Sequence, residues 1–268
     1  MYASRMLVTG SVLLSVTAPA PAFDVNERLS IGGVMAGSMQ CQRLSGKAGA
    51  DNECDHALPL QPEFSFRPTD SDELFVKAGF ANGNGLNGKS PFVLSPWAAD
   101  LHENVKNING TNRDYLLTAW YRHAFTLRQG SSLDATFGII DATDYLDENA
   151  YANDEYTQFM NEALVNGPNT FLPSYDGGGT LAWNTGPWSL RGVVMKGNDN
   201  DDGNDFIFYG AQLGYSVQSE LGEGNYRVLL DRTSEDFLDG DGKTEHRRES
   251  ILFSFDQQLG KWSVHNLT

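Results

Sequence analysis

Basic residues are scarce in this chain: 19 Lys and Arg stand against 35 Asp and Glu in 268 residues, a formal net charge of -16. No basic stripe is available to neutralise phosphates, which excludes nucleic acid as a partner. Long apolar runs are missing as well. The amino-terminal run MLVTGSVLLSV falls well below the roughly 20 apolar residues a spanning helix needs, and no later run is longer in kind. Any membrane insertion must therefore be by strands. There are two cysteines, and no second Cys pair or His pair has ligand spacing, so no metal centre is expected. Nucleophile-elbow, metal-helix and phosphate-loop motifs are absent. The chain is accordingly read as a non-enzyme without a cofactor.

What is present begins with a leader. Arg5 precedes the apolar run, and TAPAPAFD follows it with Ala20 and Ala22 as the small-x-small pair, so residues 1–22 are expected to be a secretory signal peptide and residues 23–268 the mature domain. In an exported chain Cys41 and Cys54 are expected to form a disulfide that pins the first long gap.

The mature chain alternates with period two, and its breaks are alternately short and long. TDSD, RQGS, NTGP, SELGEG and LGKW are the short ones. The Cys-containing gap, a Gly/Asn-rich gap, the stretch after Ile139, NDNDDGND and LDGDGKTEH are the long ones. A transmembrane barrel keeps that parity, with short turns at one rim and long loops at the other. The faces agree. Tyr115, Leu117, Ala119, Tyr121 and Phe125 share one side, and Asp114, Thr118, Trp120 and Arg122 the other; Tyr209, Ala211, Leu213, Tyr215 and Val217 likewise oppose Gly210, Gln212, Gly214 and Ser216. Phe125, Trp188 and Tyr226, near strand ends, suit interfacial girdles. The fold class expected is all-β, an antiparallel transmembrane β-barrel.

The segments IGGVMAGSMQ, LQPEFSFRP, GNGL, YLLTAWYRHAF, FGIIDATDYLDENAYANDEYTQFMNEALVN, LAWNTGPWSL and FDQQLG resemble the carbohydrate-selective outer-membrane porins, the OprB family. The resemblance covers nearly all of the mature chain. It implies a sixteen-strand barrel in the outer membrane of a Gram-negative bacterium, reached through the periplasm, that lets mono- and disaccharides diffuse passively. It also implies that residues 141–177 are a part-helical constriction loop folded into the lumen. About ten to eleven strands are counted here, and VHNLT lacks the terminal aromatic usual in such barrels, so the chain is expected to be an amino-terminal portion of a longer porin. A complete smaller barrel is the alternative, and trimer and monomer both stay open. Outer-membrane lipid and lipopolysaccharide are the surrounding partners.

Sugars are recognised by aromatic faces and by planar polar groups that meet hydroxyls. Alternation places Trp120 and Arg122 on the lumen side, with Arg67, Lys77, Arg191 and Arg227 also expected inward and Glu63, Asp134 and Asp231 as charge partners. Each of these could equally be a hydrated pore-wall charge. In the insertion, Asp141, Asp144, Asp147, Glu148, Asn149, Asp154 and Glu155 are candidates to line the constriction, while helical spacing assigns Phe159 and Met160 to packing. DGDGKTE has calcium-loop spacing only at its first positions and is read as a solvated loop. The competing reading is a secreted soluble β-protein that binds glycans or hydrolyses them with a carboxylate pair such as Asp141 and Asp147, which would have to stand roughly 5 to 9 Å apart.

Overall fold

A computed structural model describes residues 14–43, 52–90, 101–128, 130–161, 164–167, 170–198 and 200–260. Among these the strands are β1 (Leu14–Asn26), β2 (Leu29–Gln42), β3 (Glu53–Phe66), β4 (Asp72–Ala78), β5 (Phe80–Asn82) and β6 (Leu116–Arg128). They continue with β7 (Ser131–Ile140), β8 (Asp176–Thr185), β9 (Trp188–Gly197), β10 (Phe206–Ser219), β11 (Gly222–Leu238) and β12 (Glu245–Gln257). The protein is all-β, a 12-stranded antiparallel sheet ordered β1-β2-β3-β4-β6-β7-β8-β9-β10-β11-β12, with β5 paired to β3. β1 and β12 are the end strands, so the order does not close.

Two compact units divide the described residues: one takes those up to Pro68, Leu74–Ala119 and Asp154–Val165, the other Thr69–Glu73, Trp120–Asn153 and those from Asn166 on. In the first, β2 and β3 pair from Leu29 opposite Phe66 to Gln42 opposite Glu53. Cys41 lies directly opposite Cys54, 4.1 Å away between Cα atoms, and the two are joined by a disulfide. One face of this pair is covered: Ala36, Ala57 and Leu101 form a buried cluster against which Tyr156 and Met160 pack. The other face is bare, with Met35, Met39, Leu58, Leu60 and Phe64 exposed.

The second unit repeats the division more fully. Along β10, Phe206, Phe208, Gly210, Gln212 and Gly214 are buried, while Tyr209, Ala211, Leu213 and Tyr215 between them are exposed. The buried residues lie under the insertion that joins β7 to β8, whose Ala142 and Leu146 enter one cluster with Ile140, Val193, Met195, Phe206, Phe208, Leu229 and Phe237. Gly210 allows this close approach, since a Cβ there would meet the Leu146 side chain at 2.5 Å. Tight hairpins serve the opposite ends of the strands. Gly186 supplies φ +53 in the turn at residues 186–187, the left-handed conformation in which glycine has no Cβ penalty.

Several expectations change. β1 contains the expected cleavage point after Ala22, so cleavage there would leave Phe23, Asp24, Val25 and Asn26 as its mature part. β3 begins at Glu53, because DHALPL continues the alternation upstream of Leu60; the cysteines are therefore strand-end residues and not loop residues. Phe80–Asn82 forms an additional short strand, and β11 and β12 extend well into polar sequence. Residues 1–13 of the expected leader and the strand start expected in WSVHNL lie outside the described residues.

The insertion spans residues 141–175 and is less helical than its spacing suggests. It opens with a 3-10 turn at Ala142–Asp144, and its middle holds a bond from the Leu164 N–H to the Asn161 carbonyl at 3.0 Å and a turn at residues 154–159. There the Asp154 carboxylate takes the backbone N–H groups of Tyr156 and Thr157, at 2.8 and 2.5 Å, which offers the backbone an alternative to a helix. Further along, Asn166 adopts the left-handed φ +59. Met160 packs as expected from its spacing, but Phe159 is exposed.

Candidate functional site

The covered face of the second unit carries a polar network at the level of Gln212. Antiparallel register puts Gln212 opposite Arg191 on β9, Gly214 opposite Arg227 on β11, and Arg227 opposite Ser254 on β12. Alternation turns each of these toward the insertion. The Asp147 N–H donates to Gln212 Oε1 at 2.7 Å, and Gln212 Nε2 donates to Glu148 Oε2 at 3.4 Å. Gln212 is 1% exposed, so both its amide groups are committed to holding the insertion.

Two guanidiniums flank this contact. Arg191 approaches Glu148 at 3.6 Å and donates to Asn184 Oδ1 at 2.8 Å. Arg227 pairs with Asp256 at 2.6 Å, and Asn225 donates to the other Asp256 oxygen at 2.8 Å. Asn149 reaches Ser254 Oγ at 3.5 Å. Partial burial raises the Glu148 carboxyl above its ordinary range, although Arg191, Arg227 and Gln212 all pull it the other way. Burial likewise pushes the Tyr145 phenol up to about 12, opposed by a hydrogen bond with Thr136.

The remaining insertion carboxylates mostly hold the loop itself. Asp141 accepts from the Thr143 N–H at 2.9 Å, the Thr143 hydroxyl at 2.7 Å and the Ser174 hydroxyl at 3.0 Å. Asp147, 2% exposed, adopts φ +54 and accepts from the Gly167 N–H at 2.6 Å, while Asn166 donates to its carbonyl at 3.2 Å. The carboxylates suggested as a hydrolytic pair thus each accept from donors within the insertion. Asp144 is exposed, Glu155 is half-buried, and Asp154 caps its own turn.

The predicted wall residues separate into groups. Arg191 and Arg227 converge with Glu148 and Asn149. Arg122 instead pairs with Glu73 at 2.6 Å, and Trp120 packs against the apolar cluster under the insertion, so it is not a bare stacking surface. Asp134 is half-buried, and the buried Asp231 accepts from the Ser250 hydroxyl and has no described pairing with an arginine. In the first unit Lys77 pairs with Glu63 at 3.2 Å. Arg67 follows the end of β3 at Phe66 and is exposed in the turn there, where its backbone bonds Arg28.

Sequence reasoning missed Gln212, Asn184, Asn225 and Asp256 as partners in this network. The period-two pattern of β10 marked the face of Gln212, but nothing local showed that an amide there would meet Asp147, 65 positions away. In the connection from β11 to β12, Asp241 accepts from the Lys243 and Thr244 N–H groups and the Thr244 hydroxyl, which hold its carboxyl below the ordinary range and close a hairpin turn. Among the described residues no group of three or more His, Cys, Asp or Glu is arranged to hold a metal ion.

The chain is similar to an uncharacterized protein of Aquifex aeolicus (strain VF5), with 42% identity over 109 residues. The aligned stretch is 40% of this chain and 34% of that protein, so the chain matches about a third of that relative's length. No family model matches the chain, and no solved structure matches it.

Proposed function

We propose that the protein is a wall and constriction segment of an outer-membrane β-barrel porin through which small sugars diffuse passively. One observation carries this reading: in the second unit an apolar bare face runs across consecutive strands, back to back with the polar network under the insertion. Leu181, Leu190, Val194, Leu213, Val228, Leu230, Ile251 and Phe253 all stand exposed on it. A protein in water rarely leaves so large an apolar surface bare, whereas lipid requires one.

Its vertical order also suits a bilayer. Trp188, Tyr215, Tyr226 and Phe255 are successive register partners beside the short turns, with rings of Trp188 and Tyr215 4.7 Å apart, and make an aromatic row of the kind found at membrane interfaces. Toward the long connections the same face turns charged, with Arg232 paired to Glu249 and Lys196 to Asp205. From Ile207 to Val217 β10 runs about 33 Å at roughly 3.3 Å per residue. A tilt of about 40° reduces that to about 25 Å, the height of a barrel's apolar band.

On the covered face, guanidiniums, carboxylates and amides from neighbouring strands and from the insertion offer planar donors and acceptors to sugar hydroxyls. The test is fractionation followed by permeation. The native protein should sediment with outer membranes and require detergent, and in liposomes it should admit uncharged mono- and disaccharides without an energy source. Release as a soluble protein by salt alone would overturn the membrane reading; detergent extraction without sugar entry would overturn the permeation reading.

A further inference from the structure

The return leg of the insertion, just before β8, meets the wall in an aromatic cluster. Phe171 of that leg lies 5.5 Å from Phe206 of β10 and 5.5 Å from Phe237 of β11, centroid to centroid, and Phe206 and Phe237 stand edge to face at 5.0 Å. Phe206 and Phe237 are almost fully buried. Arg248 of β12 sits over the angle between two of these rings, its guanidinium carbon 4.5 Å from the Phe171 centroid and 4.4 Å from that of Phe237.

Arg248 differs from its neighbours in the wall. Arg191, Arg227, Arg232 and Arg247 each approach a carboxylate, whereas the described contacts of the Arg248 side chain are the two ring faces. In a chain so rich in acids, that geometry spends a cation on bridging an insertion residue to a strand residue. Ring faces attract a guanidinium electrostatically, and a flat one can lie against both rings at once. The Arg248 backbone is fixed as well, its N–H donating to Thr233 Oγ1 at 3.0 Å.

We propose that Arg248 is the positioning residue that latches the return leg of the insertion to the wall. It acts independently of the polar network at Gln212, which holds the first leg through Asp147 and Glu148. The first and return legs of the insertion are therefore fastened by different chemistry. On the porin reading, which the second half of the test depends on, the Arg248 latch fixes the width of the passage beside the return leg.

Limited proteolysis of the detergent-extracted full chain tests the latch without reference to transport. Arg248→Ala should raise the rate of cleavage within residues 164–175 about tenfold, equivalent to about 1.4 kcal/mol of local opening. Arg248→Lys, which keeps the charge but not the flat group that meets both rings, should restore only part of the protection, and Arg247→Ala should leave the rate unchanged. Should Arg248→Ala misfold, Phe171→Leu removes one ring face without touching the charge and should accelerate cleavage in the same region. Unchanged cleavage in a folded Arg248→Ala would overturn the latch, and where Arg248→Ala misfolds, unchanged cleavage in Phe171→Leu would do so. In planar bilayers Arg248→Ala should add open-channel current noise that Arg248→Lys suppresses. Accelerated cleavage with no channel in any variant would leave the latch standing and overturn the porin reading instead.

Discussion

Glu148 shows how a single side chain can be held against its own preference. The Asp147 and Gln212 contacts place it under the insertion, where burial outweighs two nearby guanidiniums and raises its proton affinity. A carboxyl whose folded pKa is raised supports the fold most when protonated. Its contribution is complete below the unfolded value, near 4.5, and is lost as pH rises through the higher folded value. Glu148→Gln should therefore match the parent protein in thermal unfolding at acidic pH and exceed it at neutral pH. A difference that is constant across pH would show that the half-buried Glu148 is not desolvated enough to shift its carboxyl.

At the scale of elements, β2 and β3 are clamped at their far end by Cys41–Cys54, and the insertion is clamped to β10, β11 and β12. The disulfide closes a short loop, with a sequence separation of 13. Removing it by a Cys41→Ala, Cys54→Ala double substitution should cost about 3 kcal/mol in the chain-entropy account. Hydrogen exchange should report the loss in β2 and β3 and leave β9–β12 protected. Loss of protection throughout would mean that the two compact units unfold together.

The whole molecule is defined by which face is bare. Leu213 lies in the middle of the exposed face, between Leu190 and Val228 in register. In water, Leu213→Lys would be nearly neutral, within about 0.5 kcal/mol. Facing lipid near the bilayer centre, the same change should cost about 2–4 kcal/mol. Folding into detergent micelles and lipid vesicles, followed by urea titration, distinguishes the two. A neutral or solubilising effect would overturn the outward assignment of this face.

Much of the sheet was legible because a strand's alternation is local: the faces of β10 and the acidic insertion could be read from neighbouring residues, whereas on β6 the expected division fails, since Leu117 and Thr118 are both buried. The ends of strands were not. β3 starts before Leu60 and β12 at Glu245, because pairing with a neighbour can hold polar residues extended after the hydrophobic signal has ended. Composition and alternation alone determined the β class and the two faces of β10. Only tertiary structure decided that Trp120 is packed, that Arg67 lies in a turn, that Gln212 holds Asp147, and that Arg248 rests on Phe171 and Phe237. Those pairings join residues far apart in sequence, and what a side chain meets across such a distance depends on strand register and on the path of the insertion, neither of which is encoded in any one window of the chain.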